Sequence, residues 1–171
     1  MRICDFRFAI SDCFGSGRPV PNRQLKIEDR KLNLVVIGAS LGGARTLETL
    51  LGGLSADFPL PVAIVLHRGR FADESLAAEA GGQGVIGIIL TGANNDGARG
   101  LAAIKARGGL AVVQDPATAE SRAMPDAALA TVQADQVLPV NQMAAWLVEV
   151  CHATAKRELS TTSGNAAMPE A

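Results

Sequence analysis

Between residues 33 and 156, short apolar runs alternate with stretches in which apolar positions recur every three or four residues. The runs predict strands near 33–38, 61–67, 84–90, 110–114 and 136–138, and the helical pattern falls near 42–52, 73–80, 97–107, 125–131 and 141–155. Such alternation implies parallel strands joined by right-handed crossovers. Runs as apolar as Val85-Ile86-Gly87-Ile88-Ile89-Leu90 imply a sheet covered on both faces. The expected fold class is α/β: a doubly wound, mostly parallel sheet of about five strands with helices on both faces, in a single domain.

The flanks lack this patterning. Residues 1–30 mix Gly15-Ser16-Gly17, Pro19 and Pro21 with scattered charge and read as a flexible lead or linker. Residues 157–171 are polar and aperiodic and read as a disordered tail, which leaves 31–156 as the folded unit. The full 171 residues suffice for one domain with a real core.

Composition narrows the function classes. Sixteen Lys and Arg against 17 Asp and Glu give no basic field for nucleic acid or anionic lipid. No apolar run approaches the roughly 20 residues that span a bilayer, and Met1-Arg2-Ile3-Cys4-Asp5 does not open a signal peptide, so a cytoplasmic protein is expected. Cys4, Cys13 and Cys151 lack zinc or redox spacing; no metal, disulfide or cofactor is expected.

In an open parallel sheet, ligands bind beyond the carboxyl ends of the strands. Three residues with reactive side chains fall there. Ser40 lies in Gly38-Ala39-Ser40-Leu41-Gly42-Gly43, a glycine-rich strand-to-helix turn that reads as a nucleophile elbow. His67 ends the second strand, and Asp96 follows the third in Thr91-Gly92-Ala93-Asn94-Asn95-Asp96-Gly97. Singly, Ser40 and Asp96 also fit helix caps. The other histidine, His152, sits in the last helix, where packing or solvation accounts for it. Together at one sheet edge, the three make up a hydrolytic triad: imidazole takes the hydroxyl proton and carboxylate fixes its tautomer. A dinucleotide site fits less well. The spacing Gly38-x-x-x-Gly42-Gly43 is not G-x-G-x-x-G, and Asp57 falls in a loop rather than at the end of a second strand. Backbone donors for an oxyanion are expected at the Leu41 N–H and near Ala93.

Ile37-Gly38-Ala39-Ser40-Leu41-Gly42-Gly43, Val65-Leu66-His67 and the run from Gly87 to Gly100 resemble the catalytic domain of the CheB protein-glutamate methylesterases, as do Val112-Val113-Gln114-Asp115-Pro116 and Met124-Pro125-Asp126-Ala127-Ala128. The resemblance implies a Ser40–His67–Asp96 triad that hydrolyses glutamate methyl esters on chemoreceptors, with glutamine deamidation as a companion reaction. It implies a methyl-accepting chemoreceptor cytoplasmic domain as partner, and a CheR-type methyltransferase as a second candidate.

Two departures stand out. Thirty irregular residues cannot hold the receiver domain of regulated family members, so the chain resembles the stand-alone ones. Arg68 to Leu76 passes straight toward the third strand, where the family inserts a long segment; most of that segment is expected to be absent. Loss of a cleft wall leaves a competing reading, a shortened non-catalytic relative that binds a receptor or methyltransferase.

Overall fold

Runs of Val, Ile, Leu and Ala too short to close a helix pack as strands, and the amphipathic stretches between them supply the cover. The computed structural model describes residues 31–66, 82–95 and 97–162. In chain order the elements are β1 (Leu34–Ala39), α1 (Gly43–Gly52), β2 (Val62–Leu66), β3 (Val85–Ile89), α2 (Ala98–Ala106), β4 (Leu110–Gln114), α3 (Ala123–Thr131), β5 (Gln136–Leu138) and α4 (Val140–Thr162). Short 3-10 turns at Gly82–Gly84 and Pro116–Thr118 precede β3 and α3.

The five strands form one parallel sheet in the order β2-β1-β3-β4-β5. The expected α/β class, strand number and cover on both faces all hold. Val35, Ile37 and Ala39 of β1 join Leu47 and Leu50 of α1 and Met143, Leu147 and Val150 of α4 in the larger core. On the other face Leu101 of α2 and Met124 and Ala128 of α3 close over Ile89, Ala111 and Val113. Every residue of β3 and β4 is buried, as strands sandwiched between helices require.

Helix α4 runs to Thr162, past the 155 that the apolar spacing predicts. Beyond Ala153 the sequence Thr-Ala-Lys-Arg-Glu-Leu offers little apolar face, but Ala, Lys, Arg, Glu and Leu are strong helix formers and propagate an existing helix. The lead at 1–30, the helix expected at 73–80 and residues 163–171 lie outside the described residues. Among the described residues, no helix is long and apolar enough to cross a membrane.

The chain leaves β1 for one side of the sheet and β3 for the other, so the strand order reverses between these neighbours. A crevice at the carboxyl ends of β1 and β3 follows from that reversal. The two turns that leave these strands, at Ser40 and at Thr91, therefore meet.

Candidate active site

Ser40 follows the last residue of β1, and its backbone N–H donates to the Thr91 carbonyl at 3.0 Å. Its own carbonyl accepts from the Gly43 N–H at 2.9 Å, closing a tight turn into α1. Gly42 has φ +75°, in the left-handed region, and is the N-cap of α1 with no side-chain cap. A Cβ there would also fall 2.5 Å from the Glu120 carboxylate, so conformation and space both call for glycine. The N-cap of α1 is therefore Gly42 rather than Ser40. Helix α2 likewise has a left-handed glycine as its N-cap, Gly97 at φ +83°.

The half-buried Ser40 lines a cleft of 420 Å³ with Leu41, Gly42, Arg45, Leu66 and Glu120. The volume suits a small ligand or a single inserted side chain. Leu41 and Leu66 are 56% and 46% exposed, giving an apolar lip, while Arg45 and Glu120 are exposed charges of opposite sign. The N-termini of α1 and α2 sit at this same edge, where helix dipoles favour developing negative charge. Glu120 is delivered by the β4–α3 connection, whose start is fixed by Asp115: its carboxylate accepts from the Ala117 N–H at 2.9 Å.

Gly92 packs against the turn so closely that a Cβ would stand 2.9 Å from Ser40 Cβ and 1.9 Å from Met124 Sδ. The exposed Ala93 follows immediately, so the loop expected to supply an oxyanion donor adjoins the serine. The structure thus brings Ser40, Leu41 and the Ala93 loop together. His67 and Asp96 lie outside the described residues. Leu66, the residue before His67, pairs with Ala39 at the end of the β1–β2 ladder and lines the cleft.

Beneath the cleft lies a polar cluster that sequence reasoning did not single out. Thr91 and Gln114 are 0% and 1% exposed in an otherwise apolar interior. The Thr91 N–H donates to Gln114 Oε1 at 2.9 Å, and Gln114 Nε2 donates to the Thr118 carbonyl at 3.2 Å. Ser121 joins them through its N–H to Thr91 Oγ1 at 2.8 Å and its hydroxyl to the Gly92 carbonyl at 2.9 Å. The available signal was a polar residue closing each of two otherwise apolar runs, Thr91 after β3 and Gln114 as the last residue of β4.

Three described groups have perturbed acidity, and none of them lines the cleft: the Asp126 carboxylate holds the Arg122 guanidinium above its ordinary value. Burial pushes the Cys151 thiol up to about 11. Asp57 is held below the usual carboxylate range by a hydrogen bond from Ser55, by its own backbone and by the nearby His152. Among the described residues, no cluster of His, Cys, Asp and Glu could hold a metal ion.

Comparison with known proteins places this arrangement in a family. The model of the CheB methylesterase family matches residues 35–77 and 71–147. A candidate protein-glutamate methylesterase/protein-glutamine glutaminase of Leptospira interrogans is 31% identical over 174 residues, covering 64% of this chain and 90% of that protein. Protein-glutamate methylesterase/protein-glutamine glutaminase 2 of Anaeromyxobacter dehalogenans is 32% identical over 176 residues, covering 66% of this chain and 52% of that protein. The crystal structure of the Thermotoga maritima CheB methylesterase catalytic domain superposes with a TM-score of 0.62 over 70% of this chain and 98% of that one, at 22% identity, and so shares the fold. Of 171 residues, 64% is about 109, far short of the 174 aligned positions, so the Leptospira protein carries residues without a counterpart here. The two pieces of the family match meet at 71–77, inside the interval where the sequence departs from the family pattern.

Proposed function

The chain belongs to the CheB methylesterase family, and on that premise we propose that it hydrolyses glutamate methyl esters on chemoreceptor-type proteins. Deamidation of glutamine at the same positions is the companion reaction, because an amide presents the same carbonyl with ammonia as the leaving group.

Ser40 is the nucleophile in this reading, His67 the general base and Asp96 the group that orients it. The observation that carries it is the placement of Ser40: it lines a cleft at the reversal of strand order and is not the N-cap of α1. Two facts about chain position support its partners. His67 is one peptide from Leu66, which already lines the cleft, and Asp96 directly precedes Gly97, the N-cap of α2 at the same sheet edge.

In the first half-reaction Ser40 Oγ attacks the ester carbonyl carbon while His67 takes the hydroxyl proton. The oxyanion is met by the Leu41 N–H and a donor from the Ala93 loop, each worth about 3 kcal/mol in the transition state. Collapse expels methoxide, which takes the proton from His67 and departs as methanol. Water then loses a proton to His67, attacks the acyl-serine, and releases glutamate and the free hydroxyl. A methylated receptor cytoplasmic domain is the proposed substrate, which puts the reaction in the cytoplasm; a CheR-type methyltransferase is a second candidate partner.

The two-piece family match and the exposed β2 favour one other reading, a non-catalytic relative that binds a receptor tail. Methanol release from methylated receptor cytoplasmic domain separates the two. Ser40→Ala is expected to lower the rate by at least about 10³-fold while circular dichroism stays native. No release from folded wild-type protein favours the binding module.

A further inference from the structure

We propose that Thr91 is a positioning residue that aims the Leu41 N–H at the reacting carbonyl; this rests on the reading of Ser40 as nucleophile. A threonine directly after an apolar strand in a parallel sheet would ordinarily cost desolvation of its hydroxyl. Thr91 is 0% exposed, and each of its polar atoms is engaged.

The engagement has a definite shape. The Thr91 carbonyl accepts from the Ser40 N–H at 3.0 Å, and the Thr91 hydroxyl donates to the Leu41 carbonyl at 3.0 Å. Those two contacts grip the groups on either side of the Ser40–Leu41 peptide. The carbonyl of that peptide is held by the Gly43 N–H at 2.9 Å. Turning the peptide to aim its N–H elsewhere would break at least one of these bonds. Preorganised donors stabilise an oxyanion because they need no reorientation as charge develops, and a positioned donor needs a rigid supporting shell.

The same hydroxyl also reaches the second candidate donor. It accepts from the Ser121 N–H at 2.8 Å, and the Ser121 carbonyl, at 3.2 Å, competes with Leu41 for its single proton. Ser121 holds Gly92 through two bonds, Ser121 Oγ to the Gly92 carbonyl at 2.9 Å and the Gly92 N–H to the Ser121 carbonyl at 3.1 Å. Ala93 follows Gly92. One buried hydroxyl therefore fixes the Ser40 turn relative to the Ala93 loop, and Gln114 fixes Thr91 in turn.

The test uses the full 171-residue chain with Thr91→Val, which keeps the shape and removes the hydroxyl, and Thr91→Ser, which restores it. Three readouts are taken: methanol release, the rate of Ser40 labelling by a fluorophosphonate, and amide hydrogen exchange. Thr91→Val is expected to lower kcat and labelling by about tenfold or more with KM within about threefold, and Thr91→Ser to recover most of the loss. Exchange at 40–43 and 119–122 should rise in Thr91→Val alone, with β3 and β4 protected as in wild type. If Thr91→Val does not fold, Thr91→Ala removes the same hydroxyl with less crowding and is read the same way. A folded variant lacking the hydroxyl, with wild-type kcat or unchanged exchange at 40–43, overturns the proposal. Wild-type protein that neither releases methanol nor takes the label defeats the esterase reading instead. In that case exchange at 40–43 alone decides whether Thr91 holds the turn.

Discussion

Strands β2 and β3 are equally apolar, Val-Ala-Ile-Val-Leu and Val-Ile-Gly-Ile-Ile, yet all five residues of β3 are buried and four of the five in β2 are exposed. Neighbours make the difference. β3 has a strand on each side and helices above and below, whereas among the described residues β2 lies at the sheet edge with β1 alone beside it. The hydrogen bond from Val35 N–H to the Pro61 carbonyl sets which backbone groups face β1. Because parallel ladders alternate, the groups of Val62, Ile64 and Leu66 face outward. Apolar sequence thus states that a strand needs cover, and position in the sheet decides how much the described residues provide.

Two truncations put the largest number on that difference. Ile88→Ala removes a side chain that is 1% exposed in the middle of the larger core, and is expected to cost about 2–5 kcal/mol. Ile64→Ala removes the same atoms from a residue 41% exposed and should cost less than about 1 kcal/mol. Urea unfolding of the two variants measures both. Equal costs would show that β2 is as fully covered in solution as β3, and would end the contrast.

The same contrast explains which features are legible in the sequence. Strand positions were legible because each is a bounded apolar run, and the fold class followed from their alternation with helices. The exposure of Ile64, Val65 and Leu66 was not legible, since nothing in those residues records what lies beside them. At the site, Ser40 stood out because Gly38, Gly42 and Gly43 mark the turn locally. Thr91, Gln114 and Ser121 carried no such mark: their bonds join residues 23 and 30 positions apart, which no local period encodes. The end of α4 was missed because helix propensity continues where the apolar stripe stops.

Cys151 gives a second, smaller probe of a well-covered region. It is 3% exposed on α4, and burial holds its thiol near 11, against an ordinary 9.0. The folded protein thus keeps a proton that the unfolded chain releases first, so stability is unaffected below pH 9 and falls as pH rises from about 9 toward 11. Alkylation by iodoacetamide at pH 8 should be slow in native protein, and fast at the same residue in denaturant, because the thiolate is the reactive form. Mass mapping of the Cys151 peptide checks this. Rapid native labelling would mean that α4 opens readily and that its contact with the core is weaker than the burial implies.

The smallest effect on stability is expected at β2 itself, and it bears on what an apolar strand at the edge of the described sheet does. Val65→Lys places a charge on a side chain 45% exposed, where a long side chain can reach water. Unfolding free energy should therefore change by less than about 0.5 kcal/mol. Association should change far more. A short, uncharged edge strand with outward backbone donors and acceptors is a template for pairing with another chain, and an edge lysine is a common means of preventing it. Light scattering across a concentration series should show self-association in the wild type that Val65→Lys reduces. A wild type that stays monomeric throughout would mean that β2 is shielded in solution. A large loss of stability in Val65→Lys would point the same way, because a charge is costly only where water is excluded.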